Sequence, residues 1–223
     1  MNPSRNRAVR FGVIVYDGVE PIDIGGTVGV ISMARRALPN IEAVVIAAKA
    51  GAVALASGLT IVAPHGFDDA PSCNMLIVCG GPGWRVEANN QKMLSFLRRQ
   101  RPETLASVCT GALILAAAGL LDGRPATTRR AAVGGEDTAP LQLLQSYASR
   151  IVPREAVVVD AGIVTGGGVS LAIDATLYLI GKFYGEVARE EVARLIEYDR
   201  AYAANSGALG TFEIDKFARN AQS

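Results

Sequence analysis

One thiol stands where a sulfur can react. In "LASVCTGALILAAAGLL" (105–121) an apolar run reaches Cys109, a Thr-Gly pair follows, and small apolar residues continue from there. A strand that turns sharply into a helix strains the residue at the turn and lifts its side chain above the sheet, the geometry of a nucleophile elbow. The start of the helix then aims free N–H groups and the positive end of its dipole at the sulfur, which lowers a thiol pKa and favours thiolate. A buried core thiol fits the same pattern, because free cysteine is among the most buried residue types. On the local pattern both readings stand.

A second group with chemistry lies in "DGVEPIDIGG" (17–26), which carries Asp17, Glu20, Pro21 and Asp23. Asp23 sits between Ile22 and Ile24, an apolar setting that raises a carboxyl pKa. Ionised, it would oppose a thiolate at Cys109; protonated, it would donate a hydrogen bond or a proton. A helix N-cap is the alternative, and on sequence alone it has the stronger claim. Gly80, Gly81 and Gly83 follow the run "NMLIVC". Bare backbone there approaches a ligand closely, and the amides of Gly81 and Thr110 would form an oxyanion hole; an ordinary strand-to-loop turn is the alternative. The G-G-P-G spacing is not the dinucleotide fingerprint, and "TGGG" (165–168) reads better as close packing beside the same crevice than as a phosphate loop.

The elements that must position these groups read as alternating short apolar strands and helices. Strands are expected over 10–16, 42–48, 74–81 and 104–108, with two short strands around Ser57-Gly58 and a hairpin over 155–168 turning at Asp160-Ala161-Gly162. Helices are expected over 22–38, 89–100, 110–121, near 138–149, over 169–185 and, as one amphipathic helix, over 186–202. Residues from Ala203 are expected to run over the surface. This alternation implies an α/β fold with a mostly parallel sheet covered on both faces. Ligands in such sheets bind beyond the carboxyl ends of the strands, so the loops after Tyr16, Cys79 and Val108 should converge on one crevice.

Composition narrows the function. The chain has 223 residues, 50% of them hydrophobic, and a formal net charge of +1, which suits one large domain and gives no basic stripe for a polyanion. No secretory signal pattern opens it, and the apolar stretch at 112–121 is too short to span a bilayer. Three cysteines form no C-x-x-C pair, and with a single histidine, His65, a zinc site is not expected. The expectation is a cytoplasmic protein with no metal, no cofactor, no membrane contact and no direct nucleic-acid binding.

Taken together, "FGVIVYDGVEPIDIGGTVGV", "LIVCGGPG", "SVCTGALILAAAGLLDGRPATT" and "IVTGGGVSLAIDATLYLI" resemble the ThiJ/PfpI superfamily, most of all its branch of isonitrile hydratases and sensor domains of AraC-type regulators. The resemblance implies a flavodoxin-like three-layer sandwich of the class I glutamine amidotransferase kind, over residues 9–203, with a C-terminal tail over 204–223, and a homodimer acting on a small molecule. It implies that Cys109 is the nucleophile, Asp23 its acidic partner, Thr110 a catalytic neighbour, and Gly81 with Thr110 the oxyanion amides. Gly80 and Arg129 would line the substrate pocket, and Trp84, which follows the Gly80–Gly83 loop, would either wall that pocket or cover a core edge.

Two departures from that pattern matter. Where the family reads A-T-T-H-W, this chain reads "ATTRRAAVGG", with Arg129 in the histidine's place, and His65 matches no catalytic position. A Cys-His-acid triad is therefore not expected. Arg129 would bind an anionic group or face solvent. Cys79 stands where the family often has proline, as a core thiol or a redox partner of Cys109. The resulting expectation is a cysteine-dependent hydratase that converts an isonitrile to an N-substituted formamide. The alternatives are a non-catalytic ligand- or redox-sensing domain and a glyoxalase- or deglycase-like activity.

Overall fold

The computed structural model describes residues 7–147 and 151–214. Among these, the strands in chain order are β1 (Val9–Ile14), β2 (Ile41–Ala47), β3 (Gly51–Ala54), β4 (Thr60–Ala63), β5 (His65–Gly66), β6 (Met75–Val78), β7 (Leu105–Ser107), β8 (Pro125–Ala126), β9 (Val152–Pro153), β10 (Val158–Asp160), β11 (Val164–Gly166) and β12 (Thr211–Glu213). The helices are α1 (Pro21–Ile24), α2 (Val30–Ala34), α3 (Trp84–Glu87), α4 (Gln91–Arg98), α5 (Gly111–Ala117), α6 (Pro140–Tyr147), α7 (Leu171–Tyr184), α8 (Glu186–Leu195) and α9 (Asp199–Leu209).

Eight strands form one sheet in the order β12-β10-β11-β7-β6-β1-β2-β5, parallel throughout except for the antiparallel β10–β11 hairpin. The central strands are apolar runs because both their faces are covered: Phe11, Val13, Ile14, Met75, Ile77 and Leu105 are all buried. One helix layer joins α2, α7 and α8; the other joins α3, α4, α5 and α6 around α5. This is the expected flavodoxin-like α/β sandwich, and β3 and β4 form the small hairpin read around Ser57-Gly58.

Three expectations change. The single helix read over 22–38 divides into α1, a π-helical turn over Gly25–Gly29, and α2. Thr27 sits in that turn, and its hydroxyl donates to the Asp23 carbonyl at 2.7 Å, so a side chain shares the carbonyl with the backbone ladder. The helix read over 186–202 breaks at Glu197, whose φ of 55° ends α8 before α9 begins. The segment after Ala203 does lie at the surface, with none of its described residues buried, but it is regular structure: α9 continues to Leu209, and β12 then pairs in parallel with β10. The buried Asp174 carboxylate on α7 accepts hydrogen bonds from Tyr198 (2.9 Å) and Asn205 (3.1 Å), which ties α9 to the fold. The boundary read at 203 falls inside α9, and residues 215–223 lie outside the described residues.

Candidate active site

The loops following β1, β6 and β7 meet at the carboxyl end of the sheet, with Gly80 at their junction. The Gly80 carbonyl accepts from the Glu20 amide at 2.8 Å, and the Gly80 amide donates to Asp23 Oδ2 at 2.7 Å. A Cβ at Gly80 would lie 2.8 Å from Cys109 Cβ and 2.7 Å from Thr110 Oγ1, so only glycine lets the three loops close. The convergence expected from the topology is present.

Cys109 occupies a strained elbow between β7 and α5, with φ of 51° in the left-handed region. Neighbouring loops hold the elbow on both sides. Its amide donates to the Gly167 carbonyl at 3.0 Å, and its carbonyl accepts from the Thr128 hydroxyl at 2.6 Å. The Thr127 amide in turn donates to Thr165 Oγ1 at 3.0 Å, so the A-T-T segment is fastened to the edge of β11 and to the Cys109 turn. The backbone amides of Val169 and Thr110 point at the sulfur.

The expectation of a resting thiolate is corrected. Burial, and next the Asp23 charge, push the Cys109 thiol up to about 11, against the pull of the Val169 and Thr110 amides and of Arg129. One amide at the start of α5 and one from the loop before α7 do not offset removal from water. Burial thus favours the neutral thiol over the thiolate at Cys109.

Asp23 is fully buried in α1. It is not the N-cap: that position belongs to Glu20, whose side chain makes no capping bond. Burial pushes the Asp23 carboxyl up to about 7, with the Gly80 amide and Arg129 pulling down and Glu20 pushing up. Its second oxygen, Oδ1, has no hydrogen-bond partner among the described residues. A carboxyl that titrates near neutrality beside a neutral thiol is suited to carrying one proton between partners.

A cleft of about 600 Å³ opens over this pair, and Ile22, Pro82, Trp84, Val133 and Val169 give it apolar walls. Cys109, Thr110, Gly81 and Arg129 reach it, while Asp23 lies beneath. Gly80 also lies beneath, bonded to Asp23 on one side and packed against Cys109 on the other. Trp84 lines the cleft although it is only 2% exposed; the Arg85 guanidinium lies 4.6 Å from the ring centroid.

The Gly81 amide donates to Thr110 Oγ1 at 2.9 Å, so an anion would reach that amide only by displacing the hydroxyl. Arg129 does not face solvent as one reading had it. It is 8% exposed and its guanidinium is held by both carboxylate oxygens of Glu136, at 2.6 and 2.7 Å. Cys79 is wholly buried, with its sulfur 3.9 Å from the Thr27 hydroxyl.

Val169 and Glu136 were not legible as site residues. Val169 follows the glycines of "TGGG", whose packing role was read, but nothing in the string says that its amide faces the sulfur. Glu136 lies in an irregular loop with no motif. Among the described residues no cluster of His, Cys, Asp and Glu could hold a metal ion, and no helix is long and apolar enough to cross a membrane.

Comparison with known proteins adds the following. The model of the DJ-1/PfpI family matches residues 9–181. The isonitrile hydratase of Pseudomonas putida is 30% identical over 206 residues, which span 92% of this chain and 85% of that enzyme. The HTH-type transcriptional regulator GbdR of Pseudomonas aeruginosa is 30% identical over 145 residues, 64% of this chain but 37% of the regulator. A solved ThiJ/PfpI family protein from Pseudomonas syringae superposes with a TM-score of 0.70 at 26% identity, covering 89% of this chain and 81% of that one.

Proposed function

Since the chain belongs to the DJ-1/PfpI family, we propose that it is a cysteine-dependent hydratase that converts isonitriles to N-substituted formamides. The observation that carries this reading is the enclosed pair: a neutral thiol and a carboxyl titrating near neutrality, joined through Gly80 under an apolar cleft. The terminal carbon of an isonitrile must gain both a nucleophile and a proton, and this pair holds one of each.

In the first step Cys109 Sγ forms a bond to the terminal carbon. The thiol proton, taken up by Asp23, is delivered to the same carbon, which gives a thioimidate, R–N=CH–S–Cys109. In the second step water adds to that carbon: one of its protons goes to the Asp23 carboxylate, and the other, left on the new hydroxyl, passes to the nitrogen as the carbonyl forms. The C–S bond then breaks, the departing thiolate takes the proton back from Asp23, and R–NH–CHO leaves. The balance is one isonitrile plus one water to one formamide. In this reading the amides of Val169 and Thr110 stabilise the thiolate that forms and later departs.

The test is formamide release from several aryl and alkyl isonitriles, with Cys109→Ala as control. Turnover that depends on Cys109 is expected, and no turnover above the control across the series would overturn the reading. The likeness to GbdR supports a second reading, a ligand-sensing domain that uses the same cleft without turnover. Thermal stabilisation by an isonitrile, with no formamide released, would favour it. Sensing by thiol oxidation is disfavoured, because peroxide attacks thiolate and burial keeps Cys109 protonated.

A further inference from the structure

We infer that Arg129 is a positioning residue for the nucleophile, and that Glu136 is the latch that keeps it in place. The inference rests on the reading above only in taking Cys109 as the reacting group, and its test needs no turnover.

The geometry links residues 128 and 129 to Cys109 by two routes. Thr128 holds the Cys109 carbonyl at 2.6 Å. The stem of Arg129 packs against Gly168 so closely that a Cβ there would fall 2.7 Å from Arg129 Cγ. Gly168 immediately precedes Val169, which is held at φ of 59° with its amide facing the sulfur. The stem therefore forms the floor under the turn that delivers that amide.

The head of Arg129 is equally fixed. One terminal nitrogen donates to both Glu136 oxygens, and the other donates to the Ala131 carbonyl at 2.5 Å. Glu136 is itself anchored, since its Oε2 accepts the Val133 amide at 3.0 Å. Three of the five guanidinium N–H donors are thus engaged, and the Glu136 carboxylate sits where a substrate anion would have to pair with that terminal nitrogen. What remains is its charge, which favours the ionised forms of both Asp23 and Cys109.

The charged and titratable groups around the pair leave this role to Arg129. Tyr16 at the end of β1 and Cys79 after β6 are held neutral by burial and then by neighbouring negative charge. Glu20 opposes ionisation of Asp23, and Asp23 opposes that of Cys109. Arg85 acts on Glu136. Glu136 reaches the pair through the guanidinium it holds, since its oxygens are taken up by Arg129 and by the Val133 amide.

The test is the rate of Cys109 alkylation by iodoacetamide across roughly pH 7 to pH 10, read on the Cys109 peptide by mass spectrometry, since this rate follows the thiolate fraction. Arg129→Met keeps most of the stem and removes the charge; the rate at fixed pH should fall about tenfold, equivalent to about one pH unit. Glu136→Ala should lower it about threefold in the parent chain and leave it unchanged in the Arg129→Met background, the signature of action through a shared partner. Arg129→Lys and Glu136→Gln should each restore most of the rate.

An unchanged profile in Arg129→Met with native circular dichroism overturns the inference. So does a Glu136→Ala effect of equal size in both backgrounds. Should Arg129→Met not fold, an unchanged profile in Glu136→Ala alone overturns it. Because alkylation requires no isonitrile, loss of the hydratase reading would leave this result standing.

Discussion

Cys79 and Cys109 follow neighbouring parallel strands, β6 and β7, and a buried core thiol is a reading the sequence allows for each. Both are buried, and in both the thiol is raised first by burial and then by the charge of Asp23. Yet Cys79 belongs to the core: its carbonyl accepts the Tyr16 hydroxyl at 3.0 Å and its sulfur meets Thr27. Cys109 stands outside that core cluster, at positive φ, with two amides and an open cleft before it. Burial and the direction of the pKa shift therefore do not distinguish the two thiols. The backbone turn does, because it decides whether the sulfur points into packed side chains or toward a ligand.

The largest effect that would break this comparison is selective reactivity. In the intact protein, iodoacetamide should label Cys109 faster than Cys79 by at least about a hundredfold, because the thiolate reaction requires access as well as ionisation. Cys109→Ala should abolish that early labelling, and Cys79→Ala should leave it within about twofold. Peptide mass spectrometry over a time course checks this, and early modification of Cys79 would show that the strand ends are not distinguished as described.

Next in size is the carboxyl shared by both thiols. Asp23 has its pKa raised from 3.8 to about 7 in the folded chain, so between those values the folded state binds more protons than the unfolded one. Stability contributed by the protonated form is then fully present below about pH 4 and is lost as pH rises through about 7. The loss is at most about 4 kcal/mol for a shift of this size. Asp23→Asn should remove most of that decline, gaining on the parent chain from pH 5 to pH 8 in urea unfolding. Cys79→Ala, although it touches the same environment, should leave the slope unchanged. A parent chain equally stable at both pH values would place the proton elsewhere.

These contrasts also explain what the sequence made legible. The sheet was readable because its strands are apolar runs buried on both faces, and the meeting of three loops followed from parallel topology. "SVCTG" marked the elbow, since a sharp strand-to-helix turn needs small residues after the nucleophile. The protonation state did not follow, because the dipole of a helix start is visible in sequence while the depth of burial that outweighs it is a property of the whole fold. The role of Arg129 was hidden for a related reason. Its partner Glu136 lies in an irregular loop, and no periodicity brings the two together. The continuation of α9 and β12 was missed because Asp174, Tyr198 and Asn205 fasten that segment by hydrogen bonds across the fold rather than by an apolar stripe.

The smallest effect is the sharpest test of the turn itself, because it should reverse sign between the two sites. Replacing alanine by glycine normally destabilises by about 0.5–1 kcal/mol through the freedom of the unfolded chain. At Cys79, which is not among the residues with positive φ, the step from Cys79→Ala to Cys79→Gly should show that loss. At Cys109, with φ of 51°, any Cβ suffers the left-handed penalty of roughly 1–2 kcal/mol, so the step from Cys109→Ala to Cys109→Gly should be neutral or stabilising by up to about 1 kcal/mol. Comparing Ala with Gly at each site removes the sulfur from both sides of the difference and leaves the backbone term. Urea unfolding of the four variants measures it. Equal losses at both positions would mean that Cys109 carries no strain, and that access alone separates it from its neighbour.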